Sequence, residues 1–251
     1  KGMVLQSLDR GLDALNILAK HDLVSVTELA KELGVDKSTA SRIMETLRQH
    51  DMVQLDKKTR KYKLGFRVLH LAERFRSRLQ IIDIARPVLL EVSRELGQSV
   101  HLCAYNKGMV YVIDQVVSDL PYSMSAMVGL IEPIHSSSVG KCIFAYRTPE
   151  RMEEILEDYE FTSYTVHTIT EKAKLLEEFE KIRSQGYAVD DEEMFIGVRC
   201  IAVPVFGYLN SVRYGIGISG PIDLMSPEKL EIYRKRLMVA AKKIRREVEL
   251  L

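Results

Sequence analysis

Apolar residues recur at helical spacing near the start of the chain, at Leu8, Leu12, Leu15 and Leu18, with Ile17 beside them. That spacing predicts a first helix, with Ser7 as its N-cap. His21, Asp22 and Leu23 interrupt the pattern. Residues 25–53 then read SVTELAKELGVDKSTASRIMETLRQHDMV. Ser25 and Glu28 have capping-box spacing, so a short helix is expected to begin there and to bury Leu29, Ala30 and Leu33. Gly34 suits the left-handed residue that ends such a helix. Asp36 can cap the next helix, whose apolar stripe is Ala40, Ile43, Met44 and Leu47. Two helices joined by about three residues that include a glycine are the signature of a helix-turn-helix. Short strands at Val53-Gln54-Leu55 and Tyr62-Lys63-Leu64 flank a basic tip running from Asp56 to Lys61, so the predicted unit is a winged helix.

Further along, Phe66, Leu69 and Ala72, with Leu71 and Phe75, predict an amphipathic connecting helix carrying Arg67, Arg74, Arg76 and Arg78 on its wet side. A helix over 84–96 is expected next, with Pro87 in its first turn and Gly97 as its stop. Strand-like runs at 99–106 and 109–116 around Asn106-Lys107-Gly108 read as a hairpin. Strands at 199–206 and 212–219 form a second, joined through 207–210. Helices are expected at 140–146, 150–159 and 171–185, the last ended by Gly186. Ser226 caps a final helix with Pro227 at its first position, and Leu230, Tyr233, Leu237, Ala241, Ile244 and Val248 form its buried stripe. Hairpins with interposed helices give an α+β class with a mainly antiparallel sheet. The expected division is 1–65 for the winged helix-turn-helix, 66–82 for the linker helix and 83–251 for the remainder.

Composition narrows the function classes. The 251 residues are 46% apolar and 28% charged, an ordinary globular balance that excludes disordered and collagen-like chains. No run approaches the roughly 18 apolar residues a membrane helix needs, so no membrane partner is expected. The first ten residues show no secretory signal. Three isolated cysteines, Cys103, Cys142 and Cys200, fit a reducing cytoplasm and exclude a disulfide framework or a clustered zinc site. The formal charge of +1 hides an asymmetry. Residues 1–80 carry 16 Lys and Arg against 10 Asp and Glu, whereas residues 81–251 carry 20 against 25. A basic front module can face a polyanion, and the acidic back module should not.

The polar face of the second helix of the pair carries the chemistry. Lys37, Ser38, Thr39, Ser41 and Arg42 are short hydroxyls and cations that can approach base edges and phosphates. Lys57, Lys58, Arg60 and Lys61 furnish a cationic wing for phosphates or the minor groove. Helix-turn-helices also serve in protein–protein contacts, but this face and wing together favour duplex DNA.

Chemical motifs in the acidic module are sparse. Gly140-Lys141-Cys142 lacks the earlier glycine and the hydroxyl of a phosphate loop. His135 to Ser138 lacks a nucleophile elbow, and reads as a polar loop feeding a helix start that favours a carboxylate or phosphate. Asp190 to Glu193 reads as a solvated turn with one inward acid. Cys200, in an apolar run, reads as a small hydrophobe. No metal and no cofactor are expected. A second function class stays open: an enzyme with Cys200 or Ser138 as nucleophile, His101 or His135 as base, and an accessory nucleic-acid module.

Four segments in order, LAKELGVDKSTASRIMETL, PIHSSSVGK at 133–141, GYAVDDEEMFIGVRCIAVPVF at 186–206 and ISGP at 218–221, resemble the IclR family of bacterial transcription regulators. The resemblance covers nearly the whole chain. It implies a winged helix, a linker helix and a GAF-like effector domain. It also implies homodimers, which can pair into tetramers, bound at palindromic double-stranded operators. A small organic acid, with sugar-acid-responsive members nearest, would bind above the sheet. By motif, that site maps to Ser138, Val139 and Gly140, to Asp190, to Cys200 and to Ser219, with Met124, Met127 and Leu130 expected as an apolar wall. Some members carry a serine two residues before the ISGP serine; here that position is Gly217, so effector identity does not carry over.

Overall fold

The first apolar stripe folds as helix α1 (Gln6–Lys20) in a computed structural model that describes residues 4–119, 124 and 126–248. Its N-cap is Leu5, and no side chain caps it, so Ser7 sits inside the helix. Only Ala14 and Leu18 are buried; Leu8 and Leu12 remain exposed. Helix α2 (Val26–Leu33) starts at a reciprocal box: Glu28 N–H donates to Ser25 Oγ at 3.2 Å, and Ser25 N–H donates to the Glu28 carboxylate at 2.7 Å. Gly34 ends it at φ 61°, a conformation in which a Cβ is costly. Helix α3 (Lys37–Gln49) follows after two residues, with Asp36 accepting from Thr39 N–H at 2.9 Å. Strands β1 (Val53–Leu55) and β2 (Tyr62–Leu64) pair antiparallel, and a bridge from Val24 to Tyr62 ties the wing to the segment before α2. Leu29, Ala40, Met44 and Val53 join Ala14 and Leu18 in a small shared core. Helix α4 (Phe66–Arg76) has no buried residue, and Phe66, Leu69, Leu71 and Phe75 are all exposed.

The chain divides into two compact units, residues 1–78 and 79–251. The second begins with helix α5 (Gln80–Leu96), which starts four residues earlier than expected. Pro87 therefore lies in the helix interior. Pro87 cannot donate to the Asp83 carbonyl, but both residues face solvent, where water can satisfy that carbonyl. Burial of Ile81, Ile82 and Ala85 holds the extra turn.

Six strands follow: β3 (Val100–Asn106), β4 (Met109–Val116), β5 (Ile131–Glu132), β6 (Ala188–Asp191), β7 (Val198–Phe206) and β8 (Val212–Pro221). They form one antiparallel sheet in the order β5-β4-β3-β8-β7-β6. Between β5 and β6 come α6 (Ser138–Phe144), α7 (Pro149–Leu156) and α8 (Lys172–Gln185); α9 (Pro227–Val248) closes the chain. Strand alternation sorts the core into two layers. Val100, Leu102, Ile201, Val203, Ile216 and Ile218 pack on α5 and α9. Cys103, Val112 and Ala202 point the other way, toward Val139, Ile143 and Phe144 of α6 and Phe179 of α8. The α+β class read from the sequence is the one observed. The short strands β5 and β6 were absent from the expected set, and both carry acids into the inner layer.

Candidate nucleic-acid interface and sensor site

On α3 the cap and the polar face share residues. Ser38 Oγ donates to Asp36 at 2.6 Å and Thr39 Oγ1 donates at 2.7 Å. These bonds hold the Asp36 carboxyl well below the usual carboxylate range. Both hydroxyl protons are thus spent on the cap, while their lone pairs stay free. Lys37, Ser41 and Arg42 are exposed, and among the described residues no side chain pairs with the Arg42 guanidinium. Arg48, by contrast, is taken by two bonds to Glu45 at 2.7 and 2.8 Å. In the wing, Asp56 accepts from the Thr59 amide at 2.7 Å and the Lys58 amide at 3.0 Å, and Arg60 turns the tip at φ 59°. Lys57, Lys58 and Arg60 point to solvent. Lys61 instead reaches Glu28 at 3.0 Å, linking the wing to the start of α2.

In the second unit, register aligns Asp190, Cys200 and Ser219 across β6, β7 and β8 on the inner face. Cys200 stands between Asp190 and Ser219 in the register of the three strands. Helix α6 packs on β6, β7 and β8. Ser137 is its N-cap, accepting from Gly140 N–H at 3.0 Å, so that amide is already used. Ser138 and Val139 are buried, and a Cβ on Gly140 would lie 2.2 Å from the Pro133 carbonyl. Of the residues expected as an apolar wall, Met124 is half-buried, and Met127 and Leu130 are exposed. Two clefts elsewhere in the unit, one bordered by Met152 and Arg183 and one by Phe206 and Met238, include none of the predicted effector residues.

The acidic run departs from its reading as a solvated turn with one inward acid. Asp190 and Glu193 are both buried, and Glu193 N–H donates to Asp190 at 2.7 Å. Lys141, 1% exposed, explains why two acids turn inward: it pairs with Glu193 and lies 3.7 Å from Glu178. Burial still outweighs that attraction and pushes Glu193 up to about 7. Glu132 on β5 was missed by sequence reasoning, because a two-residue strand leaves no alternation to read. Burial raises its pKa, with Asp190 adding to the effect, and burial likewise raises that of Asp190.

The nucleophile reading finds no activated group. Burial pushes the Cys103, Cys142 and Cys200 thiols upward, away from thiolate. His135 is fully engaged. Its Nε2 donates to the Thr162 carbonyl at 2.9 Å, so Nδ1 accepts from the Tyr159 hydroxyl at 2.7 Å. His101 is buried and held neutral, its pKa lowered by burial to about 4. The unfolded chain therefore takes up a proton first on acidification. His101 should cost stability as pH falls from 6.5 toward about 4, by at most ~1.4 kcal/mol per pH unit. Urea midpoints across that window should fall less steeply for His101→Gln than for wild type; parallel curves would refute the assignment.

A capped helix-turn-helix with a cationic wing, followed by a separate sheet module with a buried polar floor, defines a DNA-binding regulator with a sensing domain. Residues 7–57 match the IclR helix-turn-helix domain, and residues 74–246 match the C-terminal domain of bacterial transcriptional regulator IclR. The chain is 32% identical over 230 residues to the HTH-type transcriptional regulator KdgR of Escherichia coli, covering 92% of this chain and 88% of that one. It also resembles the Thermotoga maritima IclR crystal structure, at 31% identity and TM-score 0.73, over 98% of this chain and 100% of that one. An IclR homolog from Microbacterium hydrocarbonoxydans, solved with 4-hydroxybenzoate, shares the fold at 21% identity and TM-score 0.79, over 98% and 99% of the two chains. The chain belongs to the IclR family of transcriptional regulators. Its relatives are named as regulators, and among the described residues no helix is long and apolar enough to cross a membrane.

Proposed function

We propose that this regulator binds a pseudo-palindromic DNA operator as a homodimer, and that a small organic acid in the C-terminal domain modulates that binding or promoter output. The observation that carries the reading is the free cationic face of α3: Lys37, Ser41 and Arg42 stand exposed in the first turns of a capped helix, beside a wing of Lys57, Lys58 and Arg60. The first turns of a recognition helix are the part that meets base edges in the major groove, with the wing on the backbone. Ser38 and Thr39 would then contact DNA through their lone pairs, and Lys61 mainly through its hold on the wing. Residues 1–65 serve as the DNA-binding domain, 66–82 as the linker helix and 83–251 as the effector domain, in the cytoplasm where operators lie.

Homodimerisation is supported by the open apolar faces of α1 (Leu8 and Leu12) and α4 (Phe66, Leu69 and Phe75), which a single chain leaves in water. Pairing of dimers into tetramers is compatible with this. The organic acid is supported by the polar floor of Asp190, Cys200 and Ser219 under Ser138, Val139 and Gly140, and by the acid held in the Microbacterium homolog. A ligand can shift the regulator only by favouring one conformation over another.

The direct test is fluorescence anisotropy of the promoter DNA beside the protein's own gene, with random duplex as competitor and with organic acids added. Preference for that DNA, altered by an acid, is the expected result. Equal binding to random duplex at moderate salt, with every acid tried, overturns the proposal. In the same assay Lys58→Ala should make the log–log salt slope shallower by about one, because it removes one phosphate contact; an unchanged slope would take Lys58 off the DNA.

A further inference from the structure

Gly217 and His101 are register partners in the β3–β8 pair. A Cβ on Gly217 would lie 2.6 Å from His101 Nε2, closer than real atoms approach, so the imidazole fills the space a side chain at 217 would need. Both lie on the inner face. Their neighbours Val100, Leu102, Ile216 and Ile218 point outward to α5 and α9, whereas a Cβ on Gly215 would touch Val139 and Ile143 of α6. That face also holds Asp190, Cys200 and Ser219.

His101 is 5% exposed; among the described residues no hydrogen bond reaches its ring, and its nitrogens keep a small opening to solvent. A neutral imidazole offers one N–H donor and one acceptor. The nearby cation cannot replace it as a reader, since Lys141 is committed to Glu193 and Glu178.

We propose that His101 is a ligand-reading side chain of the sensor site, hydrogen-bonding a second oxygen function of the bound acid, and that Gly217 stays bare to give the ring its place. The assignment rests on the organic-acid reading above and specifies it: the site selects acids bearing a hydroxyl or carbonyl besides the carboxylate. Ser219 lies two residues from Gly217 along β8, roughly 7 Å, a span that one short oxygenated chain can bridge.

The test uses the full-length protein labelled uniformly with the nitrogen isotope, so that amide and imidazole resonances are both read, titrated at millimolar concentrations with butyrate and with its 3-hydroxy and 4-hydroxy derivatives. All three acids should shift the Cys200 and Ser219 amide resonances. A hydroxylated acid alone should shift the His101 imidazole and bind about tenfold tighter than butyrate, the effect of one hydrogen bond. His101→Leu should lose that preference, and His101→Gln, which keeps an N–H donor, should retain most of it. Shifts at Cys200 and Ser219 with no response at His101, or a preference that survives in a folded His101→Leu, would overturn the role of His101 and leave the acid site standing. No shift at any of these positions with any of the acids would overturn the acid site and this assignment together. If His101→Leu fails to fold, the wild-type titration decides alone.

Discussion

Lys141→Met should destabilise the second unit by about 3–5 kcal/mol above neutral pH, and by clearly less in mild acid. Methionine keeps most of the volume and removes only the charge. Lys141 is 1% exposed and pairs with Glu193 and Glu178, so its loss strands Glu193 in a confined space and leaves Glu178 with only the exposed Lys181 at 3.4 Å. Glu193 already sits near 7 because burial outweighs its cation. Without Lys141 it should hold its proton to higher pH still. Below neutrality the variant escapes much of the penalty by binding that proton; above it, the unfolded chain ionises freely and the folded one cannot. Urea unfolding on both sides of neutrality measures the difference. Replacing all three, with Lys141→Met, Glu178→Gln and Glu193→Gln together, should recover most of the lost stability, since an apolar or neutral cluster owes no desolvation to unpaired charge. A small loss that is the same at both pH values would show that the pair carries little.

Arg42→Ala should weaken operator binding by about 1–3 kcal/mol and relax base preference at one position of each half-site. The guanidinium is exposed, unpaired among the described residues, and within the first two turns of α3. Arg48, at the far end of the same helix, is already neutralised by Glu45, so Arg48→Ala should change binding far less. Binding measured against operators substituted at single base pairs separates the possibilities for Arg42. A loss spread evenly over all sequences would make it a phosphate anchor instead of a base reader.

The winged unit was the most legible part of the chain. Its signals are local: Ser25 and Glu28 close a box over three residues, Gly34 takes a left-handed turn, and Asp36 caps the helix that follows at once. Strands β1 and β2 came out at their predicted residues because an alternating run and a polar tip need no distant partner to be recognised. Ser7 shows the limit of such reasoning, since a good capping residue is used as a cap only where the helix happens to start. Pro87 shows another. Its preference for a first turn was overridden by burial of Ile81, Ile82 and Ala85 one turn earlier.

The polar floor of the second unit was legible only in part. Asp190, Cys200 and Ser219 could be marked by motif, but not that register lines them up, nor that Glu132 joins them from the far edge of the sheet. Sequence by itself determined the class of each module, the helix-turn-helix and the sign of its charge, because these follow from periodicity, caps and composition within a dozen residues. Tertiary structure alone decided which acids turn inward, that Lys141 holds them, and that His101 occupies the room Gly217 leaves. Those outcomes depend on desolvation and steric fit between residues as much as 116 positions apart in the chain, and no local pattern encodes the distance between them.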